Sequence, residues 1–267
     1  MRSLERYRGR YNSTSIARCS GTPCSGARTY LAPLIASAQD ATSSPLRPNI
    51  VVIMCDDMGY GDLACYGNKT IQTPNLDKFA TEGIRFTNCY AGLSVCSPSR
   101  ASLLTGRYPT RVGVPMVFFP QNKNGLNLDE KTLADLLRAK GYKTKCVGKW
   151  HLGSAPEYLP TKRGFDSYFG IPYSNDMVPR LLLNNEEVVE QTANLETLTE
   201  RYTTEAVKFI DASAKGPFFL YMPHTYPHIP LGAGKKFRGK SPQGIYGDVV
   251  AELDWSVGEV LAALKRN

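Results

Sequence analysis

Residues 50–59 read Ile50-Val51-Val52-Ile53-Met54-Cys55-Asp56-Asp57-Met58-Gly59. The first five form an unbroken apolar run, the pattern of a strand buried on both faces of a parallel sheet. Two adjacent carboxylates follow it. Strand and helix signals alternate through the rest of the chain. Thr73-Pro74 opens a helix, with Thr as N-cap and Pro at the first helical position, and Gly83 ends it. Arg85 to Tyr90 reads as a strand, and Ser97-Pro98 as the start of a helix that stops at Gly106. Leu133, Leu136 and Leu137 mark a helix closed by Gly141, while Thr144–Val147 and Phe218–Met222 read as strands. Val249, Val250, Leu253, Val257, Val260, Leu261 and Leu264 fall at helical spacing. This alternation predicts an α/β domain over 48–267, built on a largely parallel central sheet flanked by helices.

Composition narrows the function. The chain has 267 residues, 42% hydrophobic and 21% charged, enough for a core that needs no disulfide framework. Of the +8 formal net charge, +5 sits in residues 1–47, where seven Arg face only Glu5 and Asp40. The small remaining excess excludes a strongly basic nucleic-acid-binding domain. No stretch approaches the roughly 18 consecutive apolar residues of a membrane span. Residues 1–47 lack periodicity and read as a leader or a disordered tail. Ala36-Ser37-Ala38 resembles an A-x-A cleavage site, and a leader there implies export. The seven Cys show no tight CxxC pairing, which argues against structural zinc.

In open α/β sheets ligands bind beyond the carboxyl ends of the strands, so the residues after each strand carry the chemistry. Asp56 and Asp57 follow the first. Paired carboxylates at a buried strand end repel each other and invite a cation; the alternative is a turn cap beside a solvated side chain. After Thr144–Val147 come Lys149 and His151, two apart and so on one face of an extended chain, where they suit an oxyanion. A surface Lys with a packed His is the plain alternative. After Phe218–Met222 comes Pro223-His224-Thr225-Tyr226-Pro227-His228, and His224 is a candidate acid or a turn residue. Cys96 stands at a helix N-terminus, where free N–H groups favour an anion, and Arg100 lies in the first turn, where it opposes the dipole and serves a ligand or a neighbouring acid. A phosphatase-type thiolate is disfavoured, because three residues rather than five separate Cys96 from Arg100.

Taken together these segments resemble the sulfatases that use a formylglycine nucleophile. Ser94-Val95-Cys96-Ser97-Pro98-Ser99-Arg100-Ala101-Ser102-Leu103-Leu104-Thr105-Gly106 fits the C-x-P-x-R…LTG signature, and residues 141–151, ending Gly148-Lys149-Trp150-His151, fit the second. Residues 48–62 look like the opening strand of that family, and Gly170-Ile171-Pro172-Tyr173-Ser174-Asn175-Asp176 is most similar to its arylsulfatase A-like branch. The resemblance implies an alkaline-phosphatase-like sandwich. It implies that a formylglycine-generating enzyme oxidises Cys96, and that the hydrated aldehyde attacks the sulfur of a sulfate ester. A sulfated enzyme then forms, from which the second hydroxyl expels sulfate. Asp56 and Asp57, with the aldehyde hydrate at Cys96, would bind calcium. Arg100 would orient the hydrate and His151 would transfer a proton there. Lys149, Ser174 and His224 would hold the sulfate, with His224 protonating the leaving oxygen.

One departure stands out. The family pattern continues into a strand ending in Asp-Asn and then to a second sulfate-binding Lys, and this sequence ends at Asn267. The expectation is an N-terminal catalytic part with little sulfatase activity of its own, and with the apolar face of its last helix left uncovered. Two rivals remain: a phosphonate or phosphodiester hydrolase of the same superfamily, and a non-catalytic homologue.

Overall fold

A computed structural model describes residues 47–267. The leader or tail expected over 1–47 lies, apart from Arg47, outside the described residues. Six strands form one sheet: β1 (Ile50–Asp56), β2 (Lys143–Val147), β3 (Ser167–Gly170), β4 (Leu182–Asn184), β5 (Glu187–Glu190) and β6 (Phe218–Pro227). Their order is β1-β6-β2-β3-β4-β5. The first four in that order are mutually parallel, and β4 and β5 close the far side antiparallel. Five helices accompany them: α1 (Pro74–Glu82), α2 (Cys96–Thr105), α3 (Leu133–Ala139), α4 (Leu198–Ser213) and α5 (Gly244–Arg266).

The central strand β6 explains the layering. All ten of its residues are buried. Phe219 and Tyr221 face a core shared with Ala101 and Leu104 of α2 and Ala134 of α3. Leu220 and Met222 face the other core, with Leu198 and Tyr202 of α4 and Val249, Leu253 and Val260 of α5. Alternate residues thus point to opposite layers, and both faces of the sheet are covered, which is why the strand reads as continuous apolar sequence.

Several expectations change. Arg85–Tyr90 is not a strand: it is irregular, with Phe86 and Tyr90 exposed, and no strand pairs with it among the described residues. Its β-prone residues, Phe86, Thr87 and Tyr90, lack the neighbouring strand that would bury them. Strands β3 to β5 and helix α4 were not read from the sequence. The apolar face of α5 is not left open, since Val249, Leu253 and Val260 pack in the core shared with α4 and β6, and Val250 and Val257 are buried as well. Thr73 precedes α1 but makes no cap bond to it; Asp254 of α5 does so, accepting from the amides of Asn75 (3.2 Å) and Leu76 (2.8 Å) and from Asn75 Nδ2 (2.8 Å).

Candidate active site

At the carboxyl end of β1 the chain delivers Asp56 into the interior and then turns sharply, with Asp57 at φ 64°. Left-handed backbone is uncommon for a residue other than glycine, and it leaves the Asp57 carboxylate mostly solvent-facing. Beyond β2, Gly148 sits at φ 135°, and a Cβ there would come 2.0 Å from the carbonyl oxygen of Pro223. Only glycine lets the two strand ends pass. The next three amides are then pinned in order: Lys149 to Pro223 O (2.8 Å), Trp150 to Ile171 O (3.0 Å) and His151 to Pro172 O (3.0 Å). This backbone lattice fixes where Lys149 and His151 point.

The result is a buried ionic cluster. Asp56 Oδ2 accepts from Arg100 Nη2 at 2.8 Å and lies 2.5 Å from Lys149 Nζ; both cationic side chains are fully buried. Arg100 also donates to the Lys149 carbonyl. Burial alone would raise the Asp56 carboxyl, but Arg100 and then Lys149 outweigh it and hold it below the usual carboxylate range. Burial likewise works against the Arg100 charge, and Asp56 outweighs it and raises Arg100. Two cations share one carboxylate, so the three groups carry one formal positive charge in excess. Buried charge is costly without a partner, and an anion is the natural one.

Cys96 opens α2 beside this cluster. Its Sγ is 3.6 Å from Lys149 Nζ and 3.8 Å from Asp56 Oδ1. Val95, at the N-cap, offers no side-chain bond to the first amides. Lys149 Nζ donates to Ser174 Oγ at 2.8 Å. Cys96, Asp56 and Asp57 line a cleft of about 260 Å³ together with Leu93, Ser94 and Ser99.

The histidines divide. His151 lies at φ 58°, buried, with Nε2 2.8 Å from Phe118 O. A carbonyl only accepts, so Nε2 carries the proton and Nδ1 is left as a buried acceptor without a partner among the described residues. Burial first, then the Lys149 and Arg100 charges, push His151 down to about 3. His224 does not join the cluster. Its ring lies beside Tyr202 of α4, with Nε2 3.4 Å from Ser256 Oγ on α5. Burial pushes it down to about 4. The expected role for His224 therefore has no geometry behind it. His228 occupies the place instead, just past the end of β6, with Nε2 3.8 Å from Asp57 Oδ2. A side-chain hydrogen bond with Cys96 raises it, against the opposing effect of burial. Period-2 reading could not separate the two rings, because they are four residues apart and the pairing with β1 shifts register between Pro223 and Pro227.

The oxygen donors at Asp56 and Asp57 suit a hard cation such as calcium in type. They fall short in number: calcium takes roughly six to eight oxygens, and no group of three metal-ligating side chains occurs among the described residues.

This arrangement sets a thiol at a helix N-terminus beside buried cations at the ends of parallel strands, a setting that suits an anion. The chain belongs to the sulfatase family, whose model matches residues 48–267. It is 44% identical to bovine (Bos taurus) arylsulfatase A over 252 residues, covering 84% of this chain and 49% of that protein. It is 42% identical to human (Homo sapiens) N-acetylgalactosamine-6-sulfatase over 250 residues, covering 84% and 48%. Among solved structures it resembles a Bacteroides thetaiotaomicron protein of a locus for metabolism of multiple glycosaminoglycans, with a TM-score of 0.78 and 30% identity over 82% of this chain and 59% of that one. The chain spans about half the length of the curated relatives it matches.

Proposed function

We propose that residues 48–267 carry the nucleophile and much of the sulfate-binding site of a hydrolase of sulfate monoesters. The observation that carries this reading is the excess positive charge of Arg100 and Lys149 over Asp56, buried within reach of Cys96. Fixed cations in a desolvated site stabilise charge that develops on sulfate oxygens, and need no reorganisation as the reaction proceeds.

Converted to formylglycine, position 96 supplies a hydrated aldehyde as the nucleophile. Lys149, held by Ser174, binds a sulfate oxygen. Arg100 is locked against Asp56 and orients the nucleophile. His151 has a free Nδ1 lone pair and a depressed basicity, so it accepts a proton at position 96 only transiently and releases it readily. His228, held in the opposite direction, is the better donor to the leaving oxygen; it replaces His224 in this role. Asp56 and Asp57 are the two carboxylates we assign to a calcium ion, which would further neutralise the sulfate. We prefer a sulfate ester over a phosphodiester or phosphonate because Lys149 and His228 both contact Cys96, with His151 buried two residues from Lys149.

The test is to co-express the chain with a formylglycine-generating enzyme, examine the Cys96 peptide by mass spectrometry, and assay 4-nitrophenyl sulfate beside bis(4-nitrophenyl) phosphate. Aldehyde at position 96 with preferential sulfate-ester turnover supports the proposal. An unconverted thiol, or preferential phosphodiester turnover, overturns it.

A further inference from the structure

Asn175 is fully buried next to Ser174, and the reading of the site gives it no task. Its side-chain amide is nonetheless committed at both hydrogens. Nδ2 donates to the carbonyl of His228 at 3.0 Å and to the carbonyl of Pro230 at 3.0 Å. Its Oδ1 lies 3.4 Å from Ser174 Oγ, which in turn receives Lys149 Nζ. One side chain therefore bridges the segment that supports Lys149 and the segment that carries His228.

The bridge matters because of what holds the rest of that segment. Downstream, buried acids of α5 secure it: Glu252 accepts from the amide of Gly234 (2.9 Å), and Asp248 accepts from the amides of Gly239, Lys240 and Ser241. These anchors begin six residues beyond His228. At residues 228–230 the side-chain bonds to the main chain, among the described residues, are the two from Asn175 and the contact of the ring with its neighbour's carbonyl, Ile229 O; upstream, the Tyr226 hydroxyl donates to Leu195 O. Two carbonyls pointing inward at a buried site need a donor, and a side-chain amide meets both at once.

We infer that Asn175 is a positioning residue: it clamps the backbone on both sides of Ile229 and so sets the His228 ring against Asp57 and Cys96. It touches no reacting atom. Its kinetic consequence rests on the proposed sulfate-ester chemistry, but its structural consequence does not.

The three histidines of the chain make the test direct. Ring carbon–proton NMR resonances of His151, His224 and His228 are compared in the unaltered chain and in Asn175→Leu, which keeps the volume and removes the donors. The expected result is displacement or broadening of the His228 signal alone, with His151 and His224 unmoved. Asn175→Asp, which puts acceptors against the two carbonyls, should displace it further. In protein converted at Cys96, Asn175→Leu should lower kcat for 4-nitrophenyl sulfate by about 100-fold, the scale of a 1 Å misplacement, with KM changed less than about threefold. An unmoved His228 signal, or equal movement of all three rings, would overturn the inference. If Asn175→Leu does not fold, Asn175→Ser is read in the same way, and unfolding of both would assign Asn175 to stability and overturn its positioning role. Absence of turnover in the unaltered converted chain would count against the proposed function, while the NMR comparison still decides the role of Asn175.

Discussion

Lys149 Nζ lies 2.5 Å from the carboxylate of Asp56, and neither side chain is more than 5% exposed. Arg100 closes on the same oxygen, so Asp56 neutralises one of two charges that have no access to water. Removing one partner from such a buried set leaves charge uncompensated, which costs about 3–5 kcal/mol.

Asp56→Asn should therefore lower the unfolding free energy by about 3–5 kcal/mol. Sulfate ions should recover part of the loss, since an anion that binds the folded state stabilises it by mass action. Urea unfolding with and without sodium sulfate, against a chloride control of equal ionic strength, measures both. A loss below about 1 kcal/mol would mean that the cluster relaxes into solvent and that its charge excess is not a binding device.

Acid sensitivity follows from two buried histidines. His151 and His224 are pushed from 6.5 to about 3 and about 4. A histidine held low in the folded state binds its proton more readily when unfolded. Its stabilising contribution is thus complete above pH 6.5 and is lost as pH falls toward the folded value, at about 1.4 kcal/mol per pH unit for each group. Glu252 acts in the opposite sense. Burial raises it to about 7, so its contribution is present in acid and fades as pH rises. The informative quantity is the difference between variants. His224→Asn should flatten the fall in stability between pH 6 and pH 4 by about 1.4 kcal/mol per pH unit. An unchanged slope in urea titrations across that range would show that His224 is not buried in its neutral form.

Helix α1 depends on a residue 179 positions away. Asp254 accepts from the Asn75 amide and side chain and from the Leu76 amide, so the N-terminus of α1 is capped from α5. Asp254→Ala should cost about 1–2 kcal/mol, the upper range of a lost N-cap, and should raise amide exchange in α1. Equal protection of α1 in both proteins would show that Thr73 and Pro74 suffice.

That cap illustrates what could be read in advance. The strands with unbroken apolar runs, β1 and β6, and the helix end at Gly106 were legible, because the strands depend on local periodicity and Gly106 supplies a left-handed cap. Asp56, Arg100, Lys149 and Ser174 were legible as candidates, and the structure brings them together with Cys96. The Asp254 cap was not, since it joins residues far apart in sequence. Arg85–Tyr90 misled because β-prone residues make a strand only beside a neighbour. Strands β4 and β5 have three and four residues, too short for a period to register. The reading of His224 ends β6 at Met222, whereas the strand runs on to Pro227 and buries that ring beside Tyr202 and Ser256.

The two histidines of that segment should separate cleanly in an experiment. His228 stands beside Asp57 and Cys96, with its side chain 14% exposed. His224 is buried between β6, Tyr202 and Ser256, on the opposite layer from Arg100. In protein converted at Cys96, His228→Gln should lower kcat/KM for 4-nitrophenyl sulfate by about 100-fold or more, the usual scale for a lost proton donor, with stability lowered by no more than about 1 kcal/mol. His224→Gln should do the reverse. It forces a differently shaped polar group into a closed layer and should cost about 1–3 kcal/mol, while the turnover of the folded fraction stays within about threefold. The measurement is paired: urea unfolding for each variant, and initial rates at a temperature where both are folded. A large kinetic defect in His224→Gln with normal stability would return the proton donor to position 224 and require β6 to present that ring toward Cys96.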